Sequence, residues 1–210
     1  MNGFLISLEG GEGAGKTTVL NALRDCLIEH DFEVIATREP GGTTAGEMIR
    51  QVLLSPEFKL FSETELLLMF AARAQLVREI IQPAIVRGAA VISDRFTDAS
   101  FAYQGGGRGL DMGRIAELER WAAVIKPDLT FLLDVSVQQG LERARSRGGE
   151  LDRIERERED FFERVRATYL NRAKNESDRF VVIDASQSPE AVVIEVNASL
   201  NAWLQKRTVK

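Results

Sequence analysis

The stretch Gly10-Gly11-Glu12-Gly13-Ala14-Gly15-Lys16-Thr17 determines how the rest of the chain is interpreted. It matches the pattern G-x-x-x-x-G-K-[ST], it follows an apolar run at residues 4–8, and it opens a helical pattern at residues 17–29. In such a loop, successive backbone N–H groups converge on an anion, and the following helix directs the positive end of its dipole there. The lysine then reaches the β- and γ-phosphates of a nucleotide, and the threonine hydroxyl holds Mg²⁺. The sequence therefore predicts phosphate binding by Gly10, Gly11, Glu12, Gly13, Ala14, Gly15, Lys16, Thr17 and Thr18.

This loop belongs to a chain that alternates short apolar runs with helical patterns. The runs predict five strands, at residues 4–8, 33–37, 89–93, 129–133 and 180–183. They are apolar almost throughout, as is typical of parallel strands that helices cover on both faces. Capping patterns at Ser62, Ser136 and Ser188 predict where three helices begin. The expected fold is thus a three-layer α/β P-loop domain that spans residues 1–210, with mobile glycine-rich loops at residues 105–109 and 147–150.

Composition restricts the class of protein further. The chain has 210 residues, of which 44% are hydrophobic and 28% charged, and this excludes a disordered or fibrous chain. A net charge of −5 argues against a nucleic-acid polymer as partner. The single Cys26 and the single His30 exclude an internal disulfide and a Cys/His zinc site. With no signal-peptide pattern and no apolar run long enough for a membrane span, we expect a cytoplasmic protein that does not bind membranes.

Two further polar segments follow predicted strands. Arg38-Glu39-Pro40-Gly41-Gly42-Thr43 follows the second strand, and Asp94-Arg95 ends the third. Open α/β sheets bind ligands at the carboxyl ends of their strands, so both segments are expected beside the P-loop. Arg95 suits an acceptor phosphate, and Asp94 stands where P-loop enzymes keep a second carboxylate for Mg²⁺ or its waters. A switch GTPase also has a P-loop, but the Asn/Thr-Lys-x-Asp segment that recognises guanine does not occur in this sequence.

Five segments, taken in order, resemble one family. They are the E-G-x-E-G-A-G-K-T loop, the R-E-P-G-G-T segment, the D-R-F triplet, A-Y-Q-G-G-G-R-G at residues 102–109 and E-L-D-R-I-E at residues 150–155. Together they resemble bacterial thymidylate kinases, from residue 4 to about residue 184. The resemblance implies a strand order of 2-3-1-4-5, ATP and Mg²⁺ as cofactors, and transfer of the γ-phosphoryl group of ATP to dTMP, which gives dTDP and ADP.

The resemblance also implies which residues bind the acceptor nucleotide. Phe70 precedes Arg73 by three residues, whereas the family usually separates its stacking residue from this arginine by four. That spacing selects Met69, so Phe70 and Met69 are both candidates for contact with the base. Glu12 is expected to reach the sugar 3′-hydroxyl or the metal. The remaining contacts implied are Arg38 and Arg95 at the phosphate, Tyr103 at the sugar 2′ position, Ser100 and Gln104 at the base, and Arg73 at a base carbonyl or the phosphate.

A lid is expected at about residues 143–156. Some thymidylate kinases carry an arginine inside the P-loop, but this chain has Gly13 at that position. The family pattern then assigns the catalytic cation to the lid, and eight arginines lie between Arg143 and Arg166. We expect Arg153 to act as an arginine finger, with Arg143 and Arg147 at adenine or phosphate.

Oligomeric state and activity each leave alternatives open. The helical pattern at residues 62–87 is apolar on more than one face, which is typical of a helix buried in a core or against a partner subunit. Together with the family resemblance, it suggests a homodimer. The alternatives to a dTMP kinase are another nucleoside monophosphate kinase, of the UMP/CMP type, and a non-catalytic ATP-dependent switch.

Overall fold

Five parallel strands form one sheet in the order β2-β3-β1-β4-β5. A computed structural model of the chain describes residues 3–146, 148 and 152–208. The strands are β1 (Phe4–Gly10), β2 (Val34–Arg38), β3 (Ala90–Asp94), β4 (Leu129–Asp134) and β5 (Phe180–Asp184). All five predicted strands are confirmed, each with boundaries shifted by two residues or fewer, and the expected strand order is confirmed as well.

Helical segments connect the strands. They are α1 (Lys16–Glu29), α2 (Thr44–Leu54), α3 (Ser62–Leu76), α4 (Gln82–Val86), α5 (Thr97–Ser100), α6 (Met112–Leu118), α7 (Val137–Ser146), α8 (Glu159–Asn175) and α9 (Pro189–Thr208), with π-helical turns at Val77–Ile81, Phe101–Gly107 and Glu119–Ala123. Among the described residues, no helix combines the length and the apolar character that crossing a membrane would require.

The sheet is covered on both faces, which explains the apolar character of its strands. Every residue of β1 is buried. Phe4, Ile6 and Leu8 contact side chains of α1 and α9 on one face, whereas Leu5 belongs to a second cluster with the end of α3, α4 and the π-helical turn between them. Helix α8 covers β4 and β5 on this second face. The three layers hold the central strand, and therefore the loop that follows it, in a fixed position.

Strand register brings the polar strand ends together. Leu8 of β1 pairs with Asp94 of β3, and Arg38 of β2 pairs with the same Asp94. The ends of three neighbouring strands therefore meet at one edge, where β1 continues into the P-loop.

Two of the three helix starts agree with the capping patterns. Ser136 Oγ accepts a hydrogen bond from Gln139 N at the start of α7, and Ser188 Oγ accepts one from Ala191 N at the start of α9. The third cap is wrong: α3 begins at Ser62, but no side chain caps it. Glu65, the expected partner in that cap, instead points into the protein and pairs with arginines.

The expected mobile loop at residues 105–109 is also wrong over most of its length. Residues 105–107 lie in the π-helical turn Phe101–Gly107, which packs against α8. A Cβ atom on Gly106 would collide with the side chain of Thr168, and one on Gly107 would collide with the ring of Phe161. These glycines therefore permit close packing of two helical segments. Of the second loop, at residues 147–150, only Gly148 is among the described residues.

The P-loop and α7 touch through two glycines. Gly13 has a left-handed backbone, with φ 70°, and a Cβ atom there would collide with the backbone carbonyl of Gly140. A Cβ atom on Gly140 would in turn collide with the carbonyl of Glu12. The contact is thus between two backbones, with no space for a side chain on either.

This contact predicts that Gly13→Ala is strongly destabilising. The variant combines an overpacked contact with a left-handed alanine, and we expect the free energy of unfolding to fall by roughly 2–5 kcal/mol. Gly11→Ala is the matched control, because a Cβ atom at Gly11 meets nothing within 4 Å; we expect a change of about 0.5 kcal/mol or less. Urea denaturation measures both, and equal losses in the two variants would contradict the steric explanation.

Glu9 places a carboxyl group in the core at the end of β1. Its Oε1 accepts a hydrogen bond of 2.8 Å from Phe96 N, and its Oε2 accepts one of 2.8 Å from the Tyr169 hydroxyl. Burial, and then the negative charge of Asp98, raise the pKa of Glu9 to about 8. The buried site therefore favours the protonated form of Glu9 in the folded protein at neutral pH.

The raised pKa of Glu9 predicts how stability depends on pH. The ordinary pKa of this carboxyl is 4.5, so between that value and about 8 the folded chain binds more protons than the unfolded chain. Stability from this group is complete at low pH and is lost as the pH rises. Glu9→Gln cannot ionise, so from pH 5.5 to 8.5 its free energy of unfolding should rise relative to wild type by roughly 2–4 kcal/mol. Urea denaturation at both pH values tests this, and a constant difference would mean that folded Glu9 is ionised throughout.

Candidate active site

A cavity of about 700 Å³ opens at the strand ends, a size suited to nucleotide-like ligands. It brings the predicted P-loop residues together with predicted residues from distant parts of the chain. The P-loop contributes Glu12, Gly13, Ala14, Gly15, Lys16, Thr17 and Thr18 to its lining. The other predicted residues that line it are Arg38, Arg73, Asp94, Arg95, Ser100, Tyr103, Gln104 and Arg143.

The P-loop holds its lysine over its own backbone. Lys16 Nζ donates hydrogen bonds to the carbonyl oxygens of Gly10 and Gly11, at 3.3 and 3.0 Å. These two glycines line a small neighbouring pocket and not the main cavity. Burial, and then the positive charge of Arg95, lower the pKa of Lys16. A bound phosphate anion would counter both effects, so this arrangement favours an anion beside the loop.

Arg95, Glu12 and Tyr103 form a cluster at the cavity wall. Arg95 Nη2 lies 2.6 Å from Glu12 Oε1, and the Tyr103 hydroxyl donates to the same oxygen at 3.1 Å. The Arg95 guanidinium also lies 4.7 Å from the centre of the Tyr103 ring. These contacts fix the side chains of Glu12 and Arg95 at the cavity wall.

The backbone at Arg95 is strained. Its φ of 70° is left-handed, which costs a non-glycine residue about 1–2 kcal/mol. Arg95 N donates to Leu8 O, and Ser93 Oγ donates to Arg95 O. The Glu9 carboxyl accepts from the next N–H along the chain, that of Phe96. The sheet thus imposes the conformation that brings Arg95 to the P-loop.

Asp94 and Thr17 fit a magnesium site. Asp94 Oδ1 is buried and has no hydrogen-bond partner, and Asp94 and Thr17 both line the cavity. Mg²⁺ prefers oxygen ligands and is often held by one or two protein groups together with substrate phosphates and water. Within the described residues, no group of three or more His, Cys, Asp or Glu is arranged to hold a metal.

The structure separates the two stacking candidates, Met69 and Phe70. Met69 lines the cavity. Phe70 is only 2% exposed and belongs to a hydrophobic cluster with Leu66 and Phe101. The centre of its ring lies 4.5 Å from the Arg73 guanidinium, so Phe70 packs against that arginine. The structure therefore brings Met69, and not Phe70, to the ligand space.

Arg73 is buried and held by several acceptors. Its Nε donates to Glu39 Oε2 at 2.7 Å, and its Nη1 donates to Ser100 Oγ at 3.0 Å. Its Nη2 donates to Phe96 O at 3.0 Å. Burial raises the pKa of Glu39, and the charge of Arg73 partly counters this effect. Sequence reasoning missed Glu39 as a partner, because 34 residues separate it from Arg73.

Arg50 is a further cation that sequence reasoning missed. It lines the cavity, and its Nη1 donates to Pro40 O at 2.8 Å. Burial, and then the positive charge of Arg38, lower the pKa of Arg50. Arg38 itself is more exposed and pairs with Glu47 at 2.9 Å. No local motif marks Arg50, because only the packing of α2 brings it to the cavity.

The lid arginines lie in different places. Arg143 lines the cavity, and its guanidinium donates to the carbonyls of Ala185 and Ser186, at 2.7 and 3.3 Å. Arg153 is not among the described residues that line the cavity; its Nη2 lies 2.7 Å from Glu65 Oε2 and its Nε donates to Leu53 O. Arg147 lies outside the described residues. The arginine-finger role of Arg153 stays a prediction.

Comparison with known proteins identifies the family. A family model described as Thymidylate kinase matches residues 8–196. The chain is 51% identical to a thymidylate kinase of Pseudomonas putida strain GB-1, over 98% of this chain and 99% of that protein. It is also 51% identical to one from Hahella chejuensis, over 96% and 98% of the two chains. A crystal structure of thymidylate kinase from Ehrlichia chaffeensis superposes with a TM-score of 0.76 at 31% identity, covering 98% of this chain and 99% of that one. With the P-loop, the cation-lined cavity and the strand order all in agreement, this chain belongs to the thymidylate kinase family.

Proposed function

We propose that this protein transfers the γ-phosphoryl group of ATP to dTMP and produces dTDP and ADP. The observation that carries the proposal is a single cavity that joins a P-loop to a second site lined by arginines and polar side chains. The acceptor phosphate has a pKa near 6 and is largely dianionic at pH 7, so it needs no general base. Catalysis then consists of positioning two anionic groups and stabilising their charge.

On the donor side, Lys16 and the loop N–H groups bind the phosphates of ATP. Thr17 and Asp94 would hold Mg²⁺, which would neutralise charge on those phosphates. Arg143 is proposed to contact adenine or phosphate from the lid, at about residues 143–156. Arg153 is proposed as the finger, and it reaches the phosphates only when its ion pair with Glu65 opens. In other phosphotransferases such a finger contributes on the order of 10³–10⁵ in rate.

On the acceptor side, Arg95, Arg38 and Arg50 are proposed to hold the phosphate of dTMP. Glu12 fixes Arg95, and it is proposed to reach the sugar 3′-hydroxyl or the metal. Tyr103 would lie against the deoxyribose. Base contacts are proposed for Met69, Arg73, Ser100 and Gln104, all of which line the cavity.

An assay of acceptors tests the proposed activity. With ATP and Mg²⁺, the purified protein should phosphorylate dTMP with a kcat/KM at least about a hundredfold above that for UMP, dCMP or dGMP. The bases of dCMP and dGMP leave hydrogen bonds of the site unmade, whereas UMP keeps them but brings a 2′-hydroxyl against Tyr103 and lacks the methyl group. Coupled ADP release measures all four acceptors. A preference for UMP or dCMP would indicate a UMP/CMP-type kinase, and ATP binding without ADP release on addition of dTMP would indicate a non-catalytic switch.

A matched pair of variants shows that the activity belongs to this chain. Lys16→Ala removes the cation in the P-loop and should lower turnover at least a hundredfold. Lys126→Ala removes an exposed lysine that pairs with Glu176 away from the cavity, and it should leave turnover unchanged. Equal activity in both variants would point to a contaminating kinase.

We also propose that the protein is a cytoplasmic homodimer. The buried, unpaired Cys26 suits a reducing compartment. Leu67 on α3 is 58% exposed, and Trp121 on the π-helical turn Glu119–Ala123 is 78% exposed. Helix α3 packs against this turn, so both apolar side chains lie on adjoining elements, as at an interface between subunits.

Sedimentation tests the dimer. At micromolar concentration the wild-type chain should sediment at twice its mass of 23.4 kDa, and Leu67→Lys combined with Trp121→Lys should sediment as a monomer, because two buried charges disfavour association. Ile194→Lys is the control: Ile194 is 70% exposed but lies on α9, on the other face of the sheet, so this variant should remain dimeric. A wild-type monomer would contradict the proposal.

A further inference from the structure

We infer that Glu65 orients the side-chain amide of Gln104 and thereby makes the site select a base that carries a hydrogen-bond donor at its N3 atom. The inference rests on the proposed function, because it concerns how dTMP is distinguished from a cytosine nucleotide. Glu65 lies behind Gln104 and is not one of the described residues that line the cavity, so it acts as a positioning residue.

The contact between the two side chains is buried and direct. Glu65 and Gln104 are each 1% exposed, and Gln104 Nε2 lies 2.8 Å from Glu65 Oε1. An ionised carboxylate only accepts hydrogen bonds, so the NH₂ group of the amide must face it. The carbonyl oxygen of Gln104 is then the branch that faces away from Glu65.

Two arginines keep Glu65 ionised. Arg108 Nε and Nη2 donate to Oε1 and Oε2, at 3.3 and 3.2 Å, and Arg153 Nη2 lies 2.7 Å from Oε2. Burial alone would raise the pKa of Glu65, but the hydrogen bond from Gln104 and the charge of Arg108 outweigh it, and the pKa lies below its ordinary value. Glu65 therefore cannot donate to Gln104, and the amide has one permitted orientation.

Gln104 is also fixed through its backbone. It belongs to the π-helical turn Phe101–Gly107, and its backbone carbonyl oxygen accepts a hydrogen bond from Leu110 N at 3.0 Å. Ser100 lines the cavity one turn earlier, and its Oγ accepts from Arg73 Nη1 at 3.0 Å, so its hydroxyl proton is left for a carbonyl of the base. The wall thus offers a fixed acceptor at Gln104 and a donor at Ser100.

This pattern distinguishes the two kinds of pyrimidine. Thymine and uracil carry an N3–H donor, which pairs with the Gln104 carbonyl. Cytosine has an unprotonated N3, which accepts hydrogen bonds, so it would face the same carbonyl acceptor to acceptor. Leaving buried polar groups unpaired is the kind of penalty that gives strong discrimination between similar substrates.

The variant Glu65→Gln tests the inference with a specific direction. Arg108 donates to both oxygens of Glu65, and Arg153 Nη2 adds a second cationic group at Oε2, 2.7 Å away. The carbonyl of the new glutamine should therefore stay on the Oε2 side, and its NH₂ group should face Gln104. Gln104 must then turn its carbonyl toward that NH₂ group and present its own NH₂ group to the base. We expect the ratio of kcat/KM for dTMP over dCMP to fall by about tenfold to a hundredfold; where turnover of dCMP is too slow, its inhibition constant replaces kcat/KM.

Two controls separate orientation from general damage. The ratio of dTMP to dUMP should not change in Glu65→Gln, because dUMP lacks the methyl group but keeps N3–H. Glu157→Gln removes a carboxylate that also pairs with Arg108 but does not contact Gln104, so the ratio of dTMP to dCMP should stay within about twofold of wild type. A merely structural role of Glu65 would lower activity with all acceptors equally.

If Glu65→Gln does not fold, the double variant Glu65→Gln with Arg108→Met replaces it. This pair keeps the cluster balanced, with Arg153 and Glu157 as the remaining charges, and Arg108→Met alone is its reference. Unchanged dTMP-to-dCMP ratios in the folded variant, or an equal fall in Glu157→Gln, would overturn the inference while the proposed function stands. Failure of the wild-type chain to phosphorylate dTMP would overturn the proposed function itself.

Discussion

Repulsion between two anionic phosphates is the constraint that this molecule has to meet. The sheet meets it by placing the ends of β1, β2 and β3 side by side, with Asp94 paired in register to both neighbouring strands. Cations from separate parts of the chain, Lys16, Arg38, Arg50, Arg95 and Arg143, then line one cavity. Burial, and then the positive charge of a neighbouring arginine, lower the pKa values of Lys16 and Arg50, and a bound anion would counter both effects.

Carboxylates hold several arginines in and around the cavity. Glu12 holds Arg95, Glu39 holds Arg73, and Glu65 holds Arg108 and Arg153. Buried ion pairs of this kind add little net stability, because desolvation offsets much of their attraction. Their consequence here is geometric: the guanidinium groups of Arg73 and Arg95 have fixed directions before any ligand binds, so less ordering is needed on binding.

The sequence was sufficient for the features that depend on local patterns. The strands follow from apolar runs, and the P-loop follows from glycine spacing between a strand and a helix. Features that depend on packing were missed or misread. The glycines at residues 105–107 predict a mobile loop, because glycine usually marks flexibility. In the structure their missing side chains instead allow α8 to pack closely against this segment. No local sequence pattern marks Arg50, Glu39 or the inward-pointing Glu65, because only the packing of the fold brings these residues to their partners. The choice between Phe70 and Met69 depended on the rotation of α3, which spacing alone left open.

The contact between Gly13 and Gly140 limits where evolution can add positive charge near the transferred group. The first turns of α7 occupy the space into which any side chain at position 13 would extend. The same backbone therefore cannot combine an arginine at position 13 with this close packing of α7. A protein with this backbone can place an additional cation on a neighbouring helix, whereas a protein with a larger side chain in the loop needs α7 to lie farther from the P-loop.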